Sequence, residues 1–234
     1  MKTASFVSIL FLASALALFS SCENSDQTTL SSAQACLDQA NSATTASACV
    51  TQLGSLRTPE AYLIICSAHF IAQGFNTARF ASAYNALTGS ASGTNSTAQS
   101  MSFMAFSATT GSHGSVQTLS DCQASNVKSL TSLAVLAQMA TLVGSVAAGL
   151  GSTYDPNTGY TPAQITAALA AFGTSGGDAA TLGSTAVTAS AVYCAAGSSF
   201  QTSSVCTTLG AALAAGTTPT AIGTALITQL QITH

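Results

Sequence analysis

Charged side chains are nearly absent from this chain, and their scarcity limits what it can fold into and bind. Only 11 of its 234 residues are Asp, Glu, Lys or Arg, about 5%, whereas an average soluble domain has roughly 25%. After Lys128 the only formally charged side chains are Asp155 and Asp178. Hydrophobic residues reach 47%, which excludes a disordered polyelectrolyte. Four basic residues cannot neutralise a phosphate backbone, so we expect no nucleic-acid partner.

The turn and cap residues predict helices. Thr58-Pro59, Thr161-Pro162 and Thr218-Pro219 each combine a residue that accepts hydrogen bonds from first-turn amides with a proline that needs no amide partner. Apolar residues follow at helical spacing, and no alternating apolar run indicates a strand. We predict an all-α, disulfide-stapled bundle of about eight to ten short helices. Besides the three Thr-Pro starts, helices are predicted over 33–41, 46–56, 76–88, 124–150, 178–196 and 203–215, with breaks over 88–100 and 111–115.

The N-terminus has the pattern of an export signal. Met1 and Lys2 precede an apolar stretch from Phe6 to Phe19 that is too short to span a bilayer. The stretch ends Leu18-Phe19-Ser20-Ser21-Cys22, which resembles the lipobox of bacterial lipoproteins. The resemblance implies that residues 1–21 are a lipoprotein signal peptide. The alternative is ordinary cleavage after Ala17, with Cys22 a free thiol.

What the lipobox implies is a lipid anchor. Cys22 would carry acyl chains such as palmitate, and the protein would be exported and anchored in the bacterial cell envelope, in the outer membrane or in a target-cell membrane. Residues 22–32 are polar and predict a tether from the lipid. Residues 33–234 predict a single helical domain.

The remaining cysteines predict three disulfides. With Cys22 as the lipid carrier, six are left, and an exported chain enters an oxidising compartment. Six cysteines allow 15 pairings. Local spacing favours two short staples across helical hairpins, with the last two cysteines pairing by default. The favoured pairs are Cys36 with Cys49, Cys194 with Cys206, and Cys66 with Cys122.

One uncharged segment allows two interpretations. Residues 130–150, as a helix with a rise of 1.5 Å per residue, are about as long as a hydrocarbon core is thick. Small residues recur there as Ala140, Gly144 and Ala148, a spacing that lets helix backbones approach closely in membranes. The alternative is the buried central helix of a soluble bundle. Residues 101–106 likewise predict either a membrane or subunit contact, or a segment folded onto the core.

We find no pattern of residues that indicates catalysis. Residues 173–177 match G-x-S-x-G but follow a helical stretch instead of a strand, so we interpret them as a linker. Cys66 and His69 have a metal-like spacing, yet zinc would require reduced thiols. The acidic residues are scattered. We therefore predict no enzymatic activity, no cofactor and no metal.

Two hypotheses for function follow. The first is a lipid-anchored protein that self-associates in or on a membrane, as a pore, scaffold or lipid-holding ring. Its partners would be membrane lipid and copies of itself. The bias toward Ala, Ser, Thr and paired cysteines is loosely similar to porin-like lipoproteins of predatory Gram-negative bacteria. That similarity implies a homo-oligomer acting on a target membrane. The second hypothesis is a soluble, disulfide-stapled module at the membrane surface that binds an apolar ligand or a partner protein.

Overall fold

The fold is all-α. The computed structural model describes residues 25–88, 96–107, 111–172, 178–197 and 201–232, and in these ranges it has eleven helices and no strand. The signal peptide, Cys22 and the motif at 173–177 lie outside the described residues. The helices are α1 (Ser25–Leu37), α2 (Ala43–Thr51), α3 (Pro59–Ala72), α4 (Thr77–Thr88), α5 (Ser96–Met104), α6 (Gly111–Ala124), α7 (Lys128–Gly149), α8 (Pro162–Ala171), α9 (Ala179–Tyr193), α10 (Ser204–Ala215) and α11 (Pro219–Ile232).

The three Thr-Pro pairs begin helices, as predicted. The Thr58 and Thr218 hydroxyls each accept a hydrogen bond from the amide three residues on, at 3.3 Å, at the starts of α3 and α11. The Thr161 hydroxyl does the same for α8, and the Thr161 amide donates a second bond to the side-chain oxygen of Gln164. These caps satisfy amides that have no partner within the helix.

Three helices depart from the sequence-based expectation. The polar tether predicted over 22–32 is helical from Ser25 onward, because α1 continues to Leu37. Helix α5 begins at Ser96, inside the break predicted over 88–100, and α6 covers the whole of the break predicted over 111–115. Their Ser, Gly and Thr content is unfavourable for an isolated helix, but packing against neighbouring helices outweighs weak propensity.

Helix α3 joins two hydrophobic clusters. Ile64 and Ala68 pack with α1 and α2 in the smaller, N-terminal cluster. Cys66 and Phe70, on the same helix, belong to the larger cluster built by the rest of the chain. One helix therefore holds the two parts together.

The disulfides pair as the local spacing favours. Cys36–Cys49 staples α1 to α2, and Cys194–Cys206 links the end of α9 to α10. Cys66–Cys122 ties α3 to α6 across 56 residues of sequence. A disulfide that closes a loop typically stabilises a fold by about 2–4 kcal/mol. The three bonds therefore reinforce helices whose buried positions include many alanines.

Helix α7 is the central helix of the larger cluster. It is the one helix in the described ranges that is long and apolar enough to cross a membrane, and 78% of its most apolar stretch is buried inside the protein. Helices α5, α6, α8 and α9 pack against it. The segment at 101–106 also folds inward, since Met104, Ala105 and Phe106 are at most 1% exposed.

Small residues serve packing within the chain. Ala140 is fully buried and Ala148 is half-buried. Gly144 lies against the ring of Tyr160, such that an added methyl group would come within 2.6 Å of its Cε2 atom. Gly144, from the row predicted for helix packing, thus has its close contact inside one molecule.

The closest helix crossing joins α9 to α11. A methyl group on Gly183 would lie 1.8 Å from the carbonyl oxygen of Pro219, and one on Gly223 would lie 1.8 Å from that of Ala179. Backbone meets backbone here, so neither helix has a side chain that can move aside.

We expect Gly183→Ala to destabilise the protein by at least about 1–3 kcal/mol, the usual effect of overpacking, because the two helices must separate. Gly210→Ala is the matched control, since an added methyl at this helical glycine meets nothing within 4 Å. The control should stabilise by up to about 1 kcal/mol. Urea unfolding followed by circular dichroism measures both, and equal shifts would contradict the packing described.

The cap of α9 predicts a pH dependence. Asp178 accepts hydrogen bonds from the amide and the hydroxyl of Thr181, and these bonds lower the pKa of its carboxyl below the ordinary value of 3.8. A lowered folded-state pKa contributes stability above the unfolded pKa, and this stability is lost as the pH falls through the folded pKa.

We therefore expect Asp178→Ala to lower the melting temperature at pH 7 and to have a smaller effect as the pH falls through the lowered pKa of the wild-type carboxyl and the carboxyl takes up its proton. Asp178→Asn is the control, since asparagine keeps the cap without the titration. Thermal melts of the three proteins over this fall in pH measure the difference. A deficit of Asp178→Ala that stayed constant with pH would rule out the ionised cap.

Candidate ligand-binding cleft

Arg79 is a cation that lies buried inside the protein. It lies on α4 and is 2% exposed. Its guanidinium donates to five neutral oxygens at 2.6–3.0 Å. These are the carbonyls of Gln73, Phe103, Ala105 and Pro156 and the hydroxyl of Tyr154. A buried charge without partners would be very unfavourable, so this shell of acceptors is what allows the guanidinium inside the protein.

Aromatic rings complete the surroundings of the guanidinium. Its carbon lies 4.1 Å from the ring centre of Phe75 and 5.6 Å from that of Tyr154. Burial lowers the pKa of Arg79 and raises the pKa of Tyr154. In the sequence the one signal for this arrangement is a lone arginine among Phe75, Phe80 and other aromatic residues, and we predicted no role for it.

Arg79 holds two loops together. Its Nη1 atom donates to the carbonyl oxygen of Gln73, just after the end of α3, and also to that of Pro156, in the turn at 155–159. These loops also pack backbone to backbone. Gly74 has a φ of +77°, and a methyl group there would lie 2.0 Å from the Pro156 carbonyl oxygen. The spacing between the loops is therefore fixed by glycine on one side and by the guanidinium on the other.

A cleft of about 660 Å³ opens beside these loops. It lies at the junction of α1, α3 and α4 with the turn at 155–159. Exposed amide and carboxylate side chains form its rim, namely those of Gln34, Asp38, Asn41, Asn76 and Asn157. Half-buried Ile71 and Phe80, with Leu37 and Phe75 beneath, form its floor. The size and the combination of an apolar floor with a few polar groups are typical of small-molecule sites.

The rim is almost without charge. Among the described residues no lysine, arginine or histidine lines the cleft, and Asp38 is the one ionisable side chain that does. The Asp38 Oδ1 atom accepts a 2.7 Å hydrogen bond from Gln34 Nε2. Such a lining holds a ligand by hydrogen bonding and contact, not by ion pairing. None of these residues was selected from the sequence, because they come from four separate segments.

His69 and Asp121 form a second polar contact. His69 Nε2 lies 2.9 Å from Asp121 Oδ2, and Gln117 Nε2 donates to both carboxylate oxygens at 3.1 Å. The pair links α3 to α6 beside the Cys66–Cys122 disulfide. The metal-like spacing of Cys66 and His69 is thus occupied by a disulfide and a carboxylate contact. In the described ranges no three His, Cys, Asp or Glu side chains come together as a metal site.

Comparison of the chain with protein-family models, with curated proteins and with solved structures finds no significant match.

We expect Arg79→Met to destabilise the protein by about 3–5 kcal/mol, because buried carbonyls lose their donor while the side-chain volume is kept. Arg57→Met is the matched control. Arg57 is exposed and donates to the carbonyls of Gly54 and Leu56, so its loss should change stability by less than about 0.5 kcal/mol. Denaturant unfolding measures both, and a similar small effect for the two variants would contradict the role assigned to Arg79.

Proposed function

We propose that this protein is an exported, lipid-anchored helical module that binds a small ligand in the cleft and works at the membrane surface. The observation that carries the proposal is the burial of α7. A spanning helix turns its apolar side chains toward lipid, whereas most of the apolar stretch of α7 contacts the rest of the chain.

The exposed surface supports the same proposal. Among the described residues, the large apolar side chains classed as exposed are Val116, Leu150 and Val187. They lie on or just after three different helices, α6, α7 and α9. A protein embedded in lipid has a continuous apolar band around its circumference, and three separate side chains do not make one.

The small residues support it as well. Rows of small residues favour helix association in membranes. Here Gly144, Gly183 and Gly223 already contact Tyr160, Pro219 and Ala179 within one molecule. Of the row that favoured self-association in the sequence, Gly144 therefore has a partner within the same chain.

The chain length between lipid and cleft fits a surface location. Cys22 precedes α1 by three residues, which span at most about 10 Å. The cleft residues Gln34 and Asp38 lie near the end of α1, about 15–20 Å along its axis from Ser25 at 1.5 Å per residue. Three disulfides agree with an oxidising compartment outside the cytoplasm.

The test is to export the protein with Cys22→Ser and to follow its partition and mass. We expect a monomer in the soluble fraction with all three disulfides formed, while wild type with Cys22 stays in the membrane fraction. Retention of the Cys22→Ser protein in alkali-washed membranes, together with an oligomeric mass in detergent, would overturn the proposal. That result would favour the pore, scaffold or ring assembly instead.

A further inference from the structure

We infer that the cleft binds a neutral saccharide, held by its hydroxyl groups at the amide rim and by its C–H face on the apolar floor. The inference rests on the proposed function, because it assumes that the cleft faces water and not lipid.

The charge of the lining excludes strongly ionic ligands. Phosphates and carboxylates are recognised by arginine, lysine or helix N-termini, and none of the described residues that line the cleft is cationic. Arg79 is close to the floor, but its guanidinium is enclosed by Phe75 and by its own carbonyl partners. A cation would meet only Asp38, which already accepts from Gln34. The ligand class that remains is uncharged.

The rim matches hydroxyl groups. Each Asn or Gln side chain offers both a donor NH2 group and an acceptor oxygen, and a sugar hydroxyl both donates and accepts. Asn41, Asn76 and Asn157 approach the cleft from three different segments. The oxygen of Asn76 accepts from the Arg79 amide, which fixes the orientation of this side chain and turns its NH2 group to other partners.

The floor exposes little apolar surface. Leu37 and Phe75 are 3% and 4% exposed, so Ile71 and Phe80 provide most of the apolar surface. A peptide or lipid that binds through apolar side chains needs deep apolar pockets to bury its anchors. A sugar ring needs only a patch of its own width beneath one face, with polar groups around the edge. The observed lining has this arrangement.

The rigidity of the wall favours such a weak, hydrogen-bonded ligand. The loops that carry Asn76 and Asn157 are held by Arg79 and by the close approach of Gly74 to Pro156. Polar groups that are already fixed lose little conformational freedom on binding.

The experiment uses the exported Cys22→Ser protein and three neutral disaccharides, namely cellobiose, maltose and diacetylchitobiose. Saturation-transfer NMR at millimolar ligand detects binding, and calorimetry gives the affinity. We expect at least one disaccharide to bind, with an affinity that changes little between low and high salt, since no ion pair forms.

The variant is Asn157→Leu, which removes an amide from the rim but keeps the backbone bond from Asn157 N to Asp155 Oδ1. We expect affinity to fall about tenfold or more, as for loss of one or two hydrogen bonds. Gln123→Leu is the matched control, because Gln123 is exposed and does not line the cleft. Circular dichroism confirms that both variants are folded.

Two outcomes would overturn the inference. One is the absence of saturation transfer from all three disaccharides; the other is binding that Asn157→Leu leaves unchanged. Glucose 1-phosphate, decanoate and a neutral hexapeptide are tested alongside. If one of these binds in the cleft instead, the ligand class is wrong while the proposed function stands. Failure of the proposed function is detected separately, by membrane retention of the Cys22→Ser protein.

Discussion

The buried guanidinium of Arg79 holds together the segments that surround the cleft. Arg79 brings together the end of α3, the segment after α5 and the turn at 155–159, which are distant in sequence. Tyr154, just before that turn, makes an edge-on ring contact with Tyr160, and Tyr160 packs against Gly144 on α7. A line of contacts therefore runs from the wall of the cleft to the central helix. The carbonyls of Gln73 and Phe103, at the ends of α3 and α5, accept hydrogen bonds from the Arg79 guanidinium. Carbonyls at helix ends are available for this because they have no partner within the helix.

The fold compensates for small side chains by close approach and by cross-links. Alanine buries little apolar area, so each buried alanine contributes less than a leucine. Glycines at 183 and 223 let α9 and α11 meet at their backbones, which restores dispersion contacts that larger residues would otherwise provide. The three disulfides then limit the unfolded ensemble. Each device is local, and together they supplement a core in which many of the buried positions are alanine.

What the sequence predicted and what it missed have a common physical cause. The Thr-Pro starts, the short staples and the all-α class depend on residues close in sequence, so their patterns were readable. Helices α5 and α6, rich in Ser, Gly and Thr, depend on packing against distant segments, and the polar first turns of α1 held no helical signal. The cleft was missed for the same reason. Gln34, Asn76 and Asn157 are far apart in sequence and line one cleft only in the folded chain, where Arg79 and Gly74 hold the loops that carry Asn76 and Asn157.

Scarcity of charge also explains why hydropathy could not separate the two functional hypotheses. Residues 130–150 have the length and composition of a span, and such a segment is equally suited to lipid and to a protein interior. In the structure α7 is surrounded by its own chain, and this is the observation on which the proposed function rests. The same scarcity limits how this protein can recognise anything. With so few ionic side chains it has little electrostatic steering, so recognition must rely on hydrogen bonds and shape. A lipid anchor fits such a binder, because confinement to a membrane surface raises the local concentration that charge would otherwise supply.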